Sequence, residues 1–126
     1  MAFHPLPESE SWKLLTTVGV GRLAVSTDDG ADIFPITHHV HEGAVYFRTA
    51  PGTKLAAVVA NPRVAFEADG MRDDRPWSVV VRGVAHRLDV DDEILSSGVL
   101  DVITPVDGDQ WNYVRINPVA VTGRRA

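Results

Sequence analysis

The sequence predicts a mainly β protein, in which a small antiparallel barrel carries short helices on its flanks. Short stretches alternate apolar with polar residues or are rich in β-branched and aromatic residues, as strands are. Gly, Pro, Asn and Asp residues separate these stretches and predict tight turns. A few segments with helical spacing of apolar residues lie between the strands, which favours a barrel decorated by helices.

Length and composition limit the possible functions. The 126 residues fit a single domain, predicted to span residues 1–126, and 44% of them are hydrophobic. No apolar run approaches the length of a membrane span, and no basic-then-apolar leader stands at the N-terminus. The chain contains no cysteine, and its formal net charge of −5 argues against nucleic-acid binding. We therefore expect a cytoplasmic protein without nucleic-acid or membrane partners.

The first half of the chain predicts an N-terminal helix and four strands around a second helix. We predict helices over 7–17 and 54–60, and strands over 22–27, 33–40, 44–49 and 63–68. Hairpin turns are expected at Asp28-Asp29-Gly30 and His41-Glu42-Gly43. Gly52 or Thr53 is expected to cap the second helix, which Asn61-Pro62 ends.

The second half predicts two further strands. We predict strands over 77–88 and 115–123, a helix over 89–102 and a helical turn over 109–113. Gly83 indicates a bulge or a close approach of another backbone segment. Asn117-Pro118 favours an edge position for the last strand, because proline cannot donate a ladder hydrogen bond.

The sequence RTAPGTK (residues 48–54) lies where a predicted strand passes into a predicted helix. A helix N-terminus presents unpaired N–H groups and the positive end of the helix dipole. Gly52 leaves room for an anion, and the side chains of Thr49 and Thr53 offer hydroxyl groups. Arg48 and Lys54 add full positive charges. This segment suits a phosphate site, but its residues alone leave the alternative open that the cations are solvated and the threonines only cap the helix.

The histidines at positions 38, 39 and 41 raise the question of a metal site. On one strand, His39 and His41 would share a face and His38 would point to the other. Two histidines without further ligands hold a metal weakly. We therefore predict a solvated cluster at a hairpin end and no metal.

The pattern FPITHHVHEGAVYFRTAPGTKLAAVVANPRVAF resembles the core of the pyridoxamine phosphate oxidase-like family of flavin-binding split-barrel proteins. In that family a [YF]-x-T-x-x-[GS]-[ST]-K segment holds the cofactor phosphate before a helix that ends in N-P-x-V. GRLAVST near the start and WSVVVRGVA later extend the resemblance over most of the chain. It implies a six-stranded antiparallel split β-barrel of Greek-key topology, flanked by short helices. It also implies a homodimer with cofactor sites in the interface.

The resemblance implies which residues hold FMN. Arg48 and Lys54 would neutralise the phosphate beside Gly52, and Thr49 and Thr53 would donate hydroxyl hydrogen bonds. The remaining implied cofactor contacts are Pro35, Ile36, Thr37, His38, Trp77, Ser78 and Trp111. For the two tryptophans, packing in the core or in the dimer interface is the alternative. No catalytic residue is predicted, since hydride transfer by a flavin needs neither a general base nor a nucleophile.

The resemblance implies an FMN-dependent oxidoreductase that acts on a small molecule. True pyridoxamine phosphate oxidases carry an R-x-V-L-L-K strand where this chain reads FPITHH, and their W-x-x-x-x-R-L-H-x-R ending is reduced here to WNYVRI. The vitamin is therefore not the expected substrate. The alternatives are a deazaflavin-dependent reductase and a non-catalytic flavin- or haem-binding protein.

Overall fold

The computed structural model describes residues 2–89, 91–101 and 112–126, whose strands form one antiparallel sheet curled around a core. The strands are β1 (His4–Leu6), β2 (Val20–Thr27), β3 (Gly30–Thr37), β4 (His39–His41), β5 (Ala44–Thr49), β6 (Arg63–Arg72), β7 (Arg75–Leu88) and β8 (Asn112–Arg125). The helices are α1 (Glu8–Leu15), α2 (Thr53–Ala60) and α3 (Asp91–Ser97), with a 3₁₀ turn at Val99–Asp101. The mainly β split-barrel class is confirmed, but the described residues form eight strands instead of six.

The strand order is β3-β2-β6-β7-β8-β5-β4, and β1 pairs with the end of β8. The predicted edge position of the last strand is wrong, because β8 lies between β7 and β5. Pro118 is tolerated there because it pairs with Gly83 at a register shift, where the hydrogen-bond ladder is already interrupted. A Cβ on Gly83 would lie 2.2 Å from the carbonyl oxygen of Asn117, which confirms the predicted close backbone approach.

The predicted strand over 33–40 is two strands, which break at His38. β3 begins earlier, at Gly30, and pairs with β2, whereas β4 pairs with β5. Because β3 and β4 are the two ends of the strand order, the edges of the sheet come together at His38. The backbone N–H of His38 donates to the carbonyl oxygen of Gly19 at 3.1 Å, which ties this crossing to the start of β2.

The predicted helices and turns are largely confirmed. α2 ends before Asn61 as expected, and its N-cap is Gly52, not Thr53. Glu42 and Gly43 both have positive φ, as a type I′ hairpin turn requires. The helix predicted over 89–102 is shorter and passes into a 3₁₀ turn, and β8 replaces the end of the predicted 109–113 turn, whose first residues lie outside the described ones. No helix of the described residues is long and apolar enough to cross a bilayer.

β5 separates two hydrophobic clusters. The main core cluster fills the inside of the curled sheet, with Leu15, Leu23, Phe47, Phe66, Val81 and Ile116 at most 1% exposed. A second cluster joins Ala44, Tyr46, Leu88 and Val99, beside α3 and the 3₁₀ turn. Because side chains alternate along a strand, β5 buries Phe47 on one face and Tyr46 on the other.

Candidate functional site

The start of α2 is an open helix N-terminus. Its N-cap, Gly52, makes no side-chain capping hydrogen bond, and the first turn contains no acidic residue. The first full helical bond runs from the N–H of Ala56 to the Gly52 carbonyl at 2.9 Å. A Cβ placed on Gly52 would meet nothing within 4 Å. The helix therefore presents unpaired N–H groups and an uncompensated dipole to open space, as anion binding requires.

Arg48 and Thr49 point to opposite faces of β5. Arg48 shares the face of its cross-strand partner Tyr113, and its guanidinium carbon lies 5.8 Å from that ring centroid. Its Nη1 donates to the carbonyl oxygen of Leu100 at 3.1 Å. Thr49 is buried on the other face, and its hydroxyl donates to the carbonyl oxygen of Ala50 at 3.2 Å. These two predicted phosphate ligands therefore lie in different surroundings.

Lys54 links α2 to β3. Its Nζ lies 5.7 Å from the ring centroid of Phe34, a cation–π contact between the helix start and the strand predicted to carry the cofactor ring. Burial lowers the pKa of Lys54 from its ordinary value. An anion beside this ammonium group would oppose that shift, because an opposite charge favours the protonated form. Phe34 was not predicted as a site residue.

The predicted ring-contact residues of β3, and His38 directly after it, divide between two faces. Ile36 and His38 are buried, with 4% and 7% of their surfaces exposed. Pro35 is exposed and Thr37 half-buried, on the face that is turned away from the main core. The structure therefore brings the side chains of Pro35 and Thr37, but not those of Ile36 and His38, to a surface.

We call this surface the outer face: the outward side of β2, β3, β6 and β7, together with Val119 of β8, which lines the same pocket as Ala24 and Arg82. Pro35 lies directly opposite Arg22, which lies opposite Glu67 on β6. Nη1 of Arg22 contacts a carboxylate oxygen of Glu67 at 3.2 Å and one of Asp69 at 2.9 Å. Partial burial raises the pKa of Glu67, while Arg22 opposes this effect. These charged residues, which sequence reasoning missed, lie beside the predicted ring position.

The outer face also carries exposed apolar side chains. Val20, Ile33 and Val119 are 51%, 64% and 77% exposed. An open pocket of about 580 Å³ on this face is lined in part by Ala24, the cross-strand partner of Ile33, and by Val119. Val119 protrudes because it has no partner at the register shift between β7 and β8. Exposed apolar groups that cluster in this way are typical of a binding surface.

Trp77 and Ser78 point to opposite faces of β7. Trp77 is 3% exposed on the face that carries the main core, where its ring lies against Gly70. Ser78 pairs with Asp69 and belongs to the outer face, like Pro35. Trp111 lies outside the described residues.

The histidines that follow, His39 and His41, pack against each other and against the end of α3. The rings of His39 and His41 stack with centroids 6.4 Å apart, and Nε2 of His39 lies 2.8 Å from the carbonyl oxygen of Ser97. The cluster is thus half-buried against α3 instead of solvated. Within residues 2–89, 91–101 and 112–126, no group of three or more His, Asp or Glu could hold a metal ion.

His38 joins α1 to the crossing between β3 and β4. Its Nε2 lies 2.9 Å from the carbonyl oxygen of Leu15, and its ring centroid lies 4.8 Å from that of Phe66. Because a carbonyl only accepts, Nε2 carries the proton and Nδ1 is buried without a partner. Burial lowers the pKa of His38; the bond to Leu15 opposes this shift and His39 adds to it.

The fold and the helix start define a split-barrel protein with an open helix N-terminus at the junction between a strand and a helix. The family model for pyridoxamine 5′-phosphate oxidase matches residues 7–125, and the chain belongs to this family. The family predicted from the sequence is therefore confirmed.

Two proteins of known structure and one uncharacterised protein are similar to this chain. A Corynebacterium glutamicum protein, assigned as a candidate pyridoxamine 5′-phosphate oxidase, is 40% identical, with 99% of this chain and 98% of that chain covered and a TM-score of 0.88. An FAD binding protein of Mycobacterium smegmatis is 36% identical, with 96% of both chains covered and a TM-score of 0.81. The uncharacterised protein Rv0080 of Mycobacterium tuberculosis is 33% identical, with 95% of this chain and 83% of the relative covered.

We predict that His38 makes stability depend on pH. Its pKa in the folded protein lies below the unfolded value of about 6.5, so the unfolded chain takes up the proton first as the pH falls. The stability due to the buried neutral ring is therefore fully present above about pH 6.5 and is lost progressively below it. The free energy of unfolding, measured in urea from pH 8 to 5, should fall less steeply in His38→Gln than in the wild type. The two slopes should differ by up to about 1.4 kcal/mol per pH unit.

His86→Gln is the matched control, because His86 is exposed on β7. It should keep the wild-type slope. Equal slopes for His38→Gln and the wild type would show that His38 does not carry the effect.

Proposed function

We propose that this protein binds a flavin nucleotide, FMN, and acts as a flavin-dependent oxidoreductase on a small molecule. The open, uncapped start of α2 carries the proposal, because it offers N–H groups, a hydroxyl and an ammonium group to one phosphate. Membership of the pyridoxamine 5′-phosphate oxidase family and the likeness to an FAD binding protein support a flavin in particular.

In this proposal, Lys54 and the α2 N-terminus bind most of the phosphate charge. Thr53 is exposed in the first turn, so its hydroxyl is available to a ligand. Burial lowers the pKa of Lys54, and a phosphate beside the ammonium group would oppose that shift. Arg48 already contacts Leu100 and Tyr113. We therefore assign it a smaller part in phosphate binding and a role in holding the end of β5. Thr49 would contribute through its backbone, since its side chain is buried.

The cofactor ring would lie along the outer side of β3. Pro35 and Thr37 face that side, and Ser78 belongs to the same outer face. Ile36 and His38 would support the strand from beneath, because their side chains are buried. The bound flavin supplies hydride transfer. The chain's own residues orient the ring and exclude water from it.

A second copy of the chain would complete each site. The outer face carries an open pocket and the exposed side chains of Val20, Ile33 and Val119, and these apolar groups stay uncovered in a single subunit. We propose a C₂ homodimer joined through this face, since the same patch then serves both subunits. A cytoplasmic location is part of the same proposal.

The alternatives differ in their cofactors. Deazaflavin absorbs further to the blue than flavin, and haem gives a Soret band. FMN and FAD share the phosphate next to the ribityl chain, so the α2 site fits either, and the mass of the extracted cofactor separates them. Reduction of the bound flavin by NADH or NADPH, followed by reoxidation by an acceptor, would support the oxidoreductase. A flavin that none of these donors reduces would favour the non-catalytic binding protein.

We predict that Lys54→Ala weakens FMN binding by roughly 1.5–3 kcal/mol, the value of a hydrogen bond to a charged group. Isothermal titration of the apoprotein with FMN measures the change. Lys13→Ala is the matched control, since Lys13 is the only other lysine and is exposed on α1. Equal FMN affinity for Lys54→Ala and the control would refute the assigned phosphate site.

We predict that the protein is a dimer at micromolar concentration and that Ile33→Asp converts it to a monomer. The substitution places a charge in the apolar part of the outer face, where Ile33 is 64% exposed. Leu95→Asp is the control, because Leu95 is equally exposed but lies on α3. Light scattering gives the mass of each variant. A monomeric wild type, or a dimeric Ile33→Asp protein, would contradict this interface.

A further inference from the structure

A cavity of about 670 Å³ opens far from the proposed flavin phosphate site. Its walls are the corner between β1 and α1, the β6–β7 hairpin and the end of β8. Arg48 pairs with Tyr113 at the start of β8, whereas Arg125, at the end of β8, lines this cavity. These two β8 residues are twelve positions apart, which corresponds to roughly 40 Å of extended strand.

Three arginines lie on the core-facing side of the sheet, where it borders this cavity. Trp77 is buried on that side, and Arg75, two residues earlier on β7, shares its face. Arg72 lies directly opposite Arg75, and Arg125 lies directly opposite Trp77. Directly opposed side chains point to the same side of a sheet. Two adjacent strand pairs, β6–β7 and β7–β8, therefore bring all three arginines to one wall of the cavity, beside Trp77.

The close placement of these arginines destabilises the folded protein when no anion is bound between them. Arg72 and Arg75 are like charges in directly opposed positions, which destabilises a strand pair. Glu10 and Asp73 also line the cavity. In the described part of the chain, the ion pairs join other residues, and none within 4.0 Å includes any of these three arginines. With both acids ionised, the cavity lining keeps a net charge of one positive unit.

We propose that this cavity binds a small organic monoanion, a carboxylate or sulfonate attached to an apolar body. The guanidinium groups bind such a head group through paired N–H donors. Trp77 and the side chains of Leu6 and Leu14 supply apolar lining for the body. A monoanion neutralises the single net positive charge of the lining, whereas a phosphate dianion would leave a net negative charge beside Glu10 and Asp73. A volume of about 670 Å³ is in the range of small-molecule sites.

The test titrates 1-naphthoate and its neutral analogue 1-naphthamide by calorimetry into the purified protein, first in its FMN-free form and then after FMN has been added. We expect naphthoate to bind at least about tenfold more tightly than naphthamide, and inorganic phosphate to bind more weakly than naphthoate. Arg75→Gln and Arg125→Gln should each weaken naphthoate binding about tenfold. Arg87→Gln is the matched control, because Arg87 is exposed on β7 and does not line the cavity.

Thermal unfolding provides a second readout. Arg72→Gln should leave the midpoint unchanged or raise it without ligand, because it removes a like-charge contact. Saturating naphthoate should raise the midpoint of the wild type and of Arg87→Gln, but raise it less in Arg75→Gln and Arg125→Gln.

Two results would overturn the proposal. One is equal affinity for naphthoate and naphthamide, or naphthoate affinity that does not change in Arg75→Gln and Arg125→Gln. The other is displacement of naphthoate by FMN together with weaker FMN binding in the arginine variants, which would make the cavity part of the flavin site. Failure of the Lys54→Ala prediction alone would affect the flavin proposal and leave this one standing.

Discussion

The crossing of the chain at His38 is the constraint on which the rest of the structure depends. β3 and β4 belong to opposite ends of the strand order, yet only one residue separates them. The chain makes this crossing where His38 bonds through its backbone to Gly19 and through its ring to Leu15. The curled sheet therefore closes on itself with α1 fastened at the junction. A buried neutral histidine is suited to this, because its ring N–H satisfies a helix-end carbonyl without placing a charge in the core.

The closure determines both surfaces of functional interest. β3 turns Pro35 and Thr37 outward while Ile36 packs inward, so the outer face is the reverse side of the core. β5 is covered on both sides and ends at the open start of α2. The cation–π contact of Lys54 with Phe34 then places the ammonium group of α2 against the strand that also supports the outer face. Phe34 shares the core-facing side of β3 with Ile36, so Lys54 contacts the side of this strand opposite to Pro35 and Thr37.

The two proposed anion sites use different physical means. At α2, a helix terminus and one half-buried ammonium group act together, and little side-chain charge is needed. At the far end of β8, three guanidinium groups converge on an otherwise apolar wall beside Trp77. The first arrangement suits a phosphate that approaches backbone N–H groups closely. The second suits a head group recognised by side chains, with an apolar body against the core.

The sequence alone determined the local features of this protein. Asp28-Asp29-Gly30 and Glu42-Gly43 specify hairpins, and Gly52 specifies the start of α2, because backbone conformation at such positions depends on the residues themselves. The family and the mainly β class followed from the same local patterns. The RTAPGTK segment likewise indicated an anion site at a helix start that the structure shows to be open.

Only the tertiary structure decided how distant strands meet. It placed β8 in the sheet interior, because the register shift at Gly83 accommodates Pro118, a pairing between strands far apart in sequence. It broke the run through His38, since β-propensity is equally high on both sides of the crossing. It also brought Arg72, Arg75 and Arg125 to one wall. No local pattern encodes such convergence, because strand partners are chosen by burial across the whole sheet and not by neighbours along the chain.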